Sequence, residues 1–311
     1  MTMLALPASA LALSSAVPEH GADTPAAASG ASLRLRIVPQ RLQYNHPVTV
    51  TGRAPASVAG QTIQLQTAAS RGSSWQALRS AKVDRGGGFR LQAALRRSGF
   101  VRVVVGHGAP VATAATFAGA AGVAASPAHP VTVAAQLRVQ PRPRDLLAGQ
   151  AVKVAGKLLP ARAGRVVHLQ AQSPTGWRTL TSTRTGGAGG FQLRSTPANG
   201  LQRRLRVQFA GDQANAGTTR SAGRVTVYRD ESVASWYDDS GNTACGFHAS
   251  MGVANRDLPC GTKVRLRYGG RSVTAVVDDR GPFVGGRDWD LNQNTAAALN
   301  FGGVGTVWAT Q

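Results

Sequence analysis

Aromatic side chains are scarce in this sequence, at 5% of 311 residues, and acids are outnumbered, with 14 Asp and Glu against 35 Lys and Arg. Cysteine occurs only twice, at Cys245 and Cys260, and neither has a metal-ligand companion at the usual spacing, so no metal centre is expected. No signature of a cofactor is present either. After the first thirty residues there is no run of about 18 apolar residues, so the mature chain is not expected to span a membrane. The basic residues are not interleaved with aromatics and match no nucleic-acid-binding motif, so nucleic acid is not the expected partner.

What the chain has in quantity is punctuation. Gly 37 and Pro 16 point to many turns and short strands rather than long helices. The length suggests about two domains of roughly 150 residues each. Charge is unevenly placed: residues 1–229 hold 28 bases and five acids, a balance of +23, whereas residues 230–311 hold seven and nine, a balance of −2. A basic front half beside a near-neutral back half is expected to adhere to something anionic, and the anionic polymers of a bacterial envelope are the candidates. Met3 to Pro18 reads as the apolar core of a secretory signal, with Ala8-Ser9-Ala10 as one small-x-small cleavage site. Residues 21–31 read as a disordered spacer. Export places the protein outside the cytoplasm, secreted or in the cell envelope. There the two cysteines are either a disulfide or two buried thiols.

From residue 32 to residue 228 the sequence repeats itself. Val48-Thr49-Val50-Thr51-Gly52 returns as Val152-Lys153-Val154-Ala155-Gly156, Trp75 as Trp177, and Gly88-Phe89-Arg90-Leu91 as Gly190-Phe191-Gln192-Leu193. Two copies of about a hundred residues, each with short alternating strands and Gly-rich turns, predict two immunoglobulin-like β-sandwich repeats, over 32–133 and 134–228. A tryptophan at one fixed position in each sandwich is expected to anchor the core between sheets, the alternative being a platform for a sugar ring. The Ala/Gly/Pro stretch between Gly106 and Pro130 is expected to be a long loop.

After Tyr228 the composition changes, and residues 229–311 read as a third, all-β unit. Lys263 to Tyr268 and Arg271 to Val277 flank Gly269-Gly270 as a hairpin. Val276-Val277-Asp278-Asp279-Arg280-Gly281-Pro282-Phe283 ends a strand in an acidic bend. Asp290 to Leu299 reads as a helix with Asn292 as N-cap and Gly302-Gly303 as its stop, before a last strand over Gly305 to Ala309.

The order A-S-W-Y, T-A-x-G, L-P-x-G-T, hairpin, D-R-G-P-F, G-R-x-x-D-L, A-A-x-L, G-x-G over about the last 80 residues resembles the RlpA-like (rare lipoprotein A) family of double-psi β-barrels, which includes lytic transglycosylases. The expected fold is therefore all-β: two sandwich repeats, then a six-stranded double-psi β-barrel with short helices. The cysteine pair resembles the actinobacterial branch of the family, which implies a Cys245–Cys260 disulfide. The resemblance implies cleavage of the MurNAc–GlcNAc linkage of peptidoglycan glycan strands to 1,6-anhydro products, with Asp279 as general acid and base. It also implies a groove lined by Tyr237, Thr243, Asn255, Arg280, Arg287 and Asp290, Asp290 holding structure more than doing chemistry. Asn255 stands where the family commonly has a His, and Asn cannot carry a proton. A non-catalytic, expansin-like wall-binding protein is the alternative. His248 is expected to be an exposed loop residue, the alternative being a spatial substitute for that family His. Trp289 is expected to be a core residue, the alternative being a stacking surface for a sugar face.

Overall fold

The computed structural model describes residues 33–106, 125–197, 202–238 and 241–311. The signal and spacer readings, and most of the expected loop after Gly106, lie outside these residues.

Alternating apolar residues lay down the first repeat as β1 (Arg34–Val38), β2 (Arg41–Gln43), β3 (Pro47–Arg53), β4 (Thr62–Ala68), β5 (Gln76–Lys82), β6 (Gly88–Ala94), β7 (Gly99–Gly106) and β8 (His129–Ala134). The second follows as β9 (Gln136–Val139), β10 (Arg144–Leu147), β11 (Val152–Leu159), β12 (Val166–Ser173), β13 (Gly176–Arg184), β14 (Gly190–Ser195), β15 (Gln202–Gly211) and β16 (Ala216–Tyr228). In each repeat a three-stranded sheet, β1-β3-β6 or β9-β11-β14, faces a larger one containing β4, β5, β7 and β8 or β12, β13, β15 and β16. Val48, Val50 and Leu91 meet Ile63, Leu65 and Val103 across the first sandwich. Val152, Val154 and Leu193 meet Val167, Leu169 and Val207 across the second. The glycine that closes each V-x-V-x-G motif has a packing cause. A Cβ on Gly52 would stand 2.6 Å from the Phe89 ring, and one on Gly156 2.6 Å from that of Phe191, because each Phe lies across the strand opposite its glycine.

The paired tryptophans differ from expectation. Neither Trp75 nor Trp177 belongs to the core cluster between its sheets. Trp177 is 37% exposed. Arg102 stacks over Trp75 at 4.1 Å and Arg206 over Trp177 at 4.2 Å. Each guanidinium is fixed by donating Nε–H to a buried amide, Gln66 at 2.9 Å and Gln170 at 2.8 Å. Cation–π stacking under an arginine on the outer face of the large sheet has replaced burial between sheets.

The two large sheets run into one another, because β16 pairs with β8 at Ala216 and Ala134. The β15–β16 turn reinforces this seam. Asn215, with no exposed surface, donates to the Arg96 carbonyl at 3.0 Å, and Ser98 N–H donates to the Ala214 carbonyl at 2.7 Å. Beneath the turn, Arg165 pairs with Asp212 at 3.0 Å, with 4% and 31% of their side chains exposed. Burial alone would raise the Asp212 pKa, but the Asn215 and Ala214 N–H groups and then Arg165 outweigh it and hold the carboxyl below its usual value.

The third unit is a closed barrel of β17 (Asp230–Tyr237), β18 (Gly252–Ala254), β19 (Lys263–Tyr268), β20 (Arg271–Asp279), β21 (Trp289–Asn292) and β22 (Gly305–Ala309), in the order β17-β21-β18-β20-β19-β22. One short helix, α1 (Gln293–Leu299), starts on Asn292, whose side chain accepts the Thr295 N–H. Its stop is not the glycine pair but Asn300, in the left-handed region at φ 54. Arg229 alone separates β16 from β17, and the barrel is seated on the second sandwich through Tyr228 against Trp308 and an Arg267–Asp145 ion pair at 3.2 Å.

Replacing Asp212 with Asn strands a buried guanidinium. The expected loss is about 2–3 kcal/mol, below the roughly 3–5 of a fully buried pair because the carboxylate is partly exposed. Because the folded carboxyl has the lower pKa, this contribution is present at neutral pH and fades as pH falls through that depressed value. Denaturant titrations of the wild type and Asp212→Asn at neutral and acid pH measure both.

Candidate active site

The acidic bend takes its shape from one register slip. β18 runs parallel to β20 with Gly252 opposite Val276 and Val253 opposite Val277, both valines fully buried. Regular alternation would next set Asp278 opposite Ala254, but the register shifts there and Ala254 faces Asp279 instead. A bulge of this kind re-aims side chains. Asp278 is turned in, with no exposed surface, and its Oδ2 accepts the Ala249 N–H at 2.8 Å. Its carboxylate covers Gly252 so closely that any Cβ there would collide with it. Asp279 is left half-exposed at the end of the strand.

On the other side of Ala254 lies Asp290 of β21, itself opposite Ser235 of β17. Asp279, Ala254, Asp290 and Ser235 therefore form one row across four adjacent strands. The two acids are two strand spacings apart, on the order of 10 Å between Cα atoms. Asp279 is oriented by the N–H groups of Ala244 and Arg280, both donating to Oδ1 at 2.8 Å. Asp290 accepts from the Ser235 hydroxyl at 2.8 Å. Burial pushes the Asp290 pKa up. The Ser235 hydrogen bond and the Arg287 charge oppose the rise, and the nearby Asp279 charge adds to it.

Asp279 makes no ion pair with a guanidinium among the described residues. The adjacent Arg280 points its guanidinium away, donating from Nη1 to the carbonyls of Asn255 at 2.9 Å and Leu258 at 2.7 Å. Asn255 is 8% exposed; its Oδ1 accepts from Asp257 N–H and Leu258 N–H, and its Nδ2 donates to the Asp288 carbonyl at 3.1 Å. Both side chains are thus spent on the 255–260 loop and, through Asn255 Nδ2, on the Asp288 carbonyl. Thr243 closes a turn by donating to the Phe247 carbonyl at 2.7 Å. Half-buried Tyr237 ends β17 opposite Asn292. Arg287 is half-buried and close enough to act on Asp290 electrostatically. His248 lies in the loop beside Asp278's partner Ala249, and Trp289 is core at 3% exposure.

Cys245 and Cys260 are bonded, with Cα atoms 5.8 Å apart, tying the Ala244 turn to the loop that Arg280 holds. Sequence reasoning missed three exposed aromatics in the third unit. Phe283 is 84% exposed just past the acidic bend, Phe247 is 40% exposed in the cysteine loop, and Trp236 is 45% exposed beside Ser235. A Phe in a Gly/Pro-rich bend with no alternating partner was the available signal.

Residues 230–308 match the family model described as lytic transglycolase. Over 91 residues the chain is 36% identical to a Synechocystis protein named "Probable endolytic peptidoglycan transglycosylase RlpA", covering 24% of this chain and 26% of that protein. Over 60 residues it is 45% identical to a Nostoc protein of the same name, covering 19% and 16%. The chain therefore spans about a quarter or less of the relatives it matches, and the barrel is an RlpA-like domain.

Two measurements check this site. An acid whose folded pKa is raised lends stability that is complete below its unfolded value, near the ordinary 3.8, and lost as pH rises through the folded one. Asp290→Asn keeps the acceptor for Ser235 without the charge, so its melting temperature should exceed the wild type's at neutral pH, the gap closing on acidification. Opening the 15-residue disulfide loop with Cys260→Ser should cost about 3 kcal/mol in denaturant unfolding.

Proposed function

We propose that the RlpA-like barrel is a peptidoglycan lytic transglycosylase acting outside the cytoplasm. In this reading the chain is exported and the basic repeats hold it on anionic wall polymer. The observation that carries the enzymatic reading is the row holding Asp279 and Asp290, two half-exposed acids on one side of the barrel and neither in an ion pair among the described residues.

Glycan cleavage without water needs a proton delivered to the leaving O4 and a proton removed from the sugar's own C6 hydroxyl. The C1–O4 bond breaks as the C1–O6 bond forms, and one proton is given and one taken, so no co-reactant is required. Asp279, its orientation set by two N–H groups, serves the C6 hydroxyl. Asp290, whose burial favours the protonated form, donates to O4 and supplies the proton-carrying group that Asn255 cannot be. Exposed Phe283, four residues beyond Asp279, and Phe247, in the loop whose Ala244 N–H holds Asp279, offer apolar faces to sugar rings. Arg287 suits a stem-peptide carboxylate. Tyr237 and Thr243 shape the groove, while Asn255 and Arg280 fix the loop beneath it.

The alternative is a non-catalytic, expansin-like wall binder, favoured by the engagement of Asn255 in its own loop. A third outcome is inverting hydrolysis, which needs two carboxyl groups roughly 6.5–9.5 Å apart. Digestion of purified sacculi separates these readings. The expected result is anhydro-muropeptides that fall about 10²–10⁴-fold in Asp279→Ala and in Asp290→Asn. Loss in Asp279→Ala alone makes Asp279 the sole acid and base. Reducing-end products mean hydrolysis, and binding without products means the wall binder.

A further inference from the structure

A cavity far from the acids in the chain lies in the basic repeats. It is a groove of about 860 Å³ where Gln43 of β2 meets β9, β11 and β16 of the second sandwich. Arg138, Arg142, Arg144, Lys153, Lys157 and Arg220 line it, with no Asp or Glu and no aromatic residue. None of the six is in an ion pair among the described residues. Arg144 donates to the carbonyls of Arg142 and Ala222, and its pKa is held below the usual guanidinium value by burial first and then by the charge of Arg142.

The strand register makes this crowding systematic. Arg138 sits directly opposite Lys157 between β9 and β11, and Lys153 directly opposite Arg194 between β11 and β14. The first sandwich repeats the arrangement with Arg34 opposite Arg53, and the second adds Arg204 opposite Arg224. All of these side chains are exposed. Like charges directly opposite one another destabilise a sheet, and neutral polar residues would serve an exposed face better. Such a cost is relieved when an anionic ligand spans the pairs.

We infer that this groove is a binding site for a phosphodiester-linked polyol chain of the wall. Four of its six cations are arginines, whose forked N–H groups match phosphate oxygens in pairs. Arg138 and Lys157 stand about 5 Å apart across paired strands, and Lys153 and Lys157 about 13 Å apart along β11, a spread of cations suited to a polymer charged at regular intervals. The missing aromatics decide among polyanions. Single-stranded nucleic acid needs stacking platforms for its bases, and an acidic polysaccharide gains from them for its ring faces. A flexible polyol phosphate has no ring to stack. The inference rests on the reading of the repeats as the wall anchor and is independent of the barrel chemistry.

The test titrates the full chain with poly(glycerol phosphate), with polygalacturonate and with a single-stranded DNA oligonucleotide, across a range of salt. The expected result is tightest binding to poly(glycerol phosphate). In the triple variant Lys153→Gln, Lys157→Gln, Arg220→Gln this binding falls at least tenfold, and its salt dependence flattens by roughly half. The same variant, without polymer, should melt no lower than the wild type, because two opposed like-charge pairs have been removed; unfolding therefore cannot imitate the loss. Undiminished binding by the variant overturns the groove as the site. Equal or tighter binding of polygalacturonate or DNA overturns the polyol phosphate as occupant. Absence of binding to all three overturns the anchor reading itself, and Asp279→Ala should bind like the wild type in every arm.

Discussion

The candidate site depends on one extra residue in a parallel strand pair. β20 and β18 stay in step through Val277 and Val253, then slip, and the slip decides which of two adjacent aspartates reaches solvent. Asp278 is buried against Gly252 beneath the Ala249 loop, so position 252 tolerates no side chain, and Asp279 emerges into the row that Asp290 shares. The Asp278–Ala249 and Asp279–Ala244 hydrogen bonds fasten the cysteine loop to the two acids in turn, and Cys245–Cys260 carries that constraint to the loop that Arg280 grips from beneath. Removing the slip would return Asp278 to the row and bury the residue that now faces the groove. The aim of the acid is therefore set by backbone register before any side chain contributes.

That register also marks the limit of what the sequence could tell. The hairpin around Gly269-Gly270, the N-cap at Asn292, the last strand and the doubling of the front half were legible, because each is written in local periodicity or in a residue with a specific backbone demand. The tryptophans were misread because their environment comes from the neighbouring strand: Arg102 and Arg206 cap them, and nothing in the spacing of Trp75 or Trp177 announces a partner some thirty residues away. Arg280 and Asn255 failed to read as loop fasteners for the same reason, since their acceptors and donors are backbone groups that motif spacing does not show. The exposed Phe283 was in plain view but had no periodic pattern to give it meaning.

Local electrostatics treats acids and bases differently in this chain. Where a base must be buried, as at Arg165, the fold supplies an acid and a set of N–H groups to hold that acid charged. On the outer strands it supplies nothing: exposed cations stand opposite exposed cations in both sandwiches. The Arg165–Asp212 pair shows that the fold provides counter-charge where stability requires it. The unpaired stripes are therefore a feature of the surface that burial does not explain.

The same comparison bears on the barrel. Asn255 could have been a spare polar group at the rim of the groove, yet its amide is engaged at both ends, so the position lost to proton transfer is kept for geometry. If the proposed chemistry uses a second proton carrier, Asp290 is the group whose surroundings favour carrying one. It is half-buried, held by a hydroxyl, opposed by one cation and pushed by one anion across a single strand. Two carboxyls with different surroundings on one face make a division of labour physically natural, because the group that keeps its proton can give it while its neighbour takes one. In that arrangement the bulge does more than expose Asp279. It brings Asp279 into line with Asp290, and that alignment is what a single sugar unit bridging both acids would require.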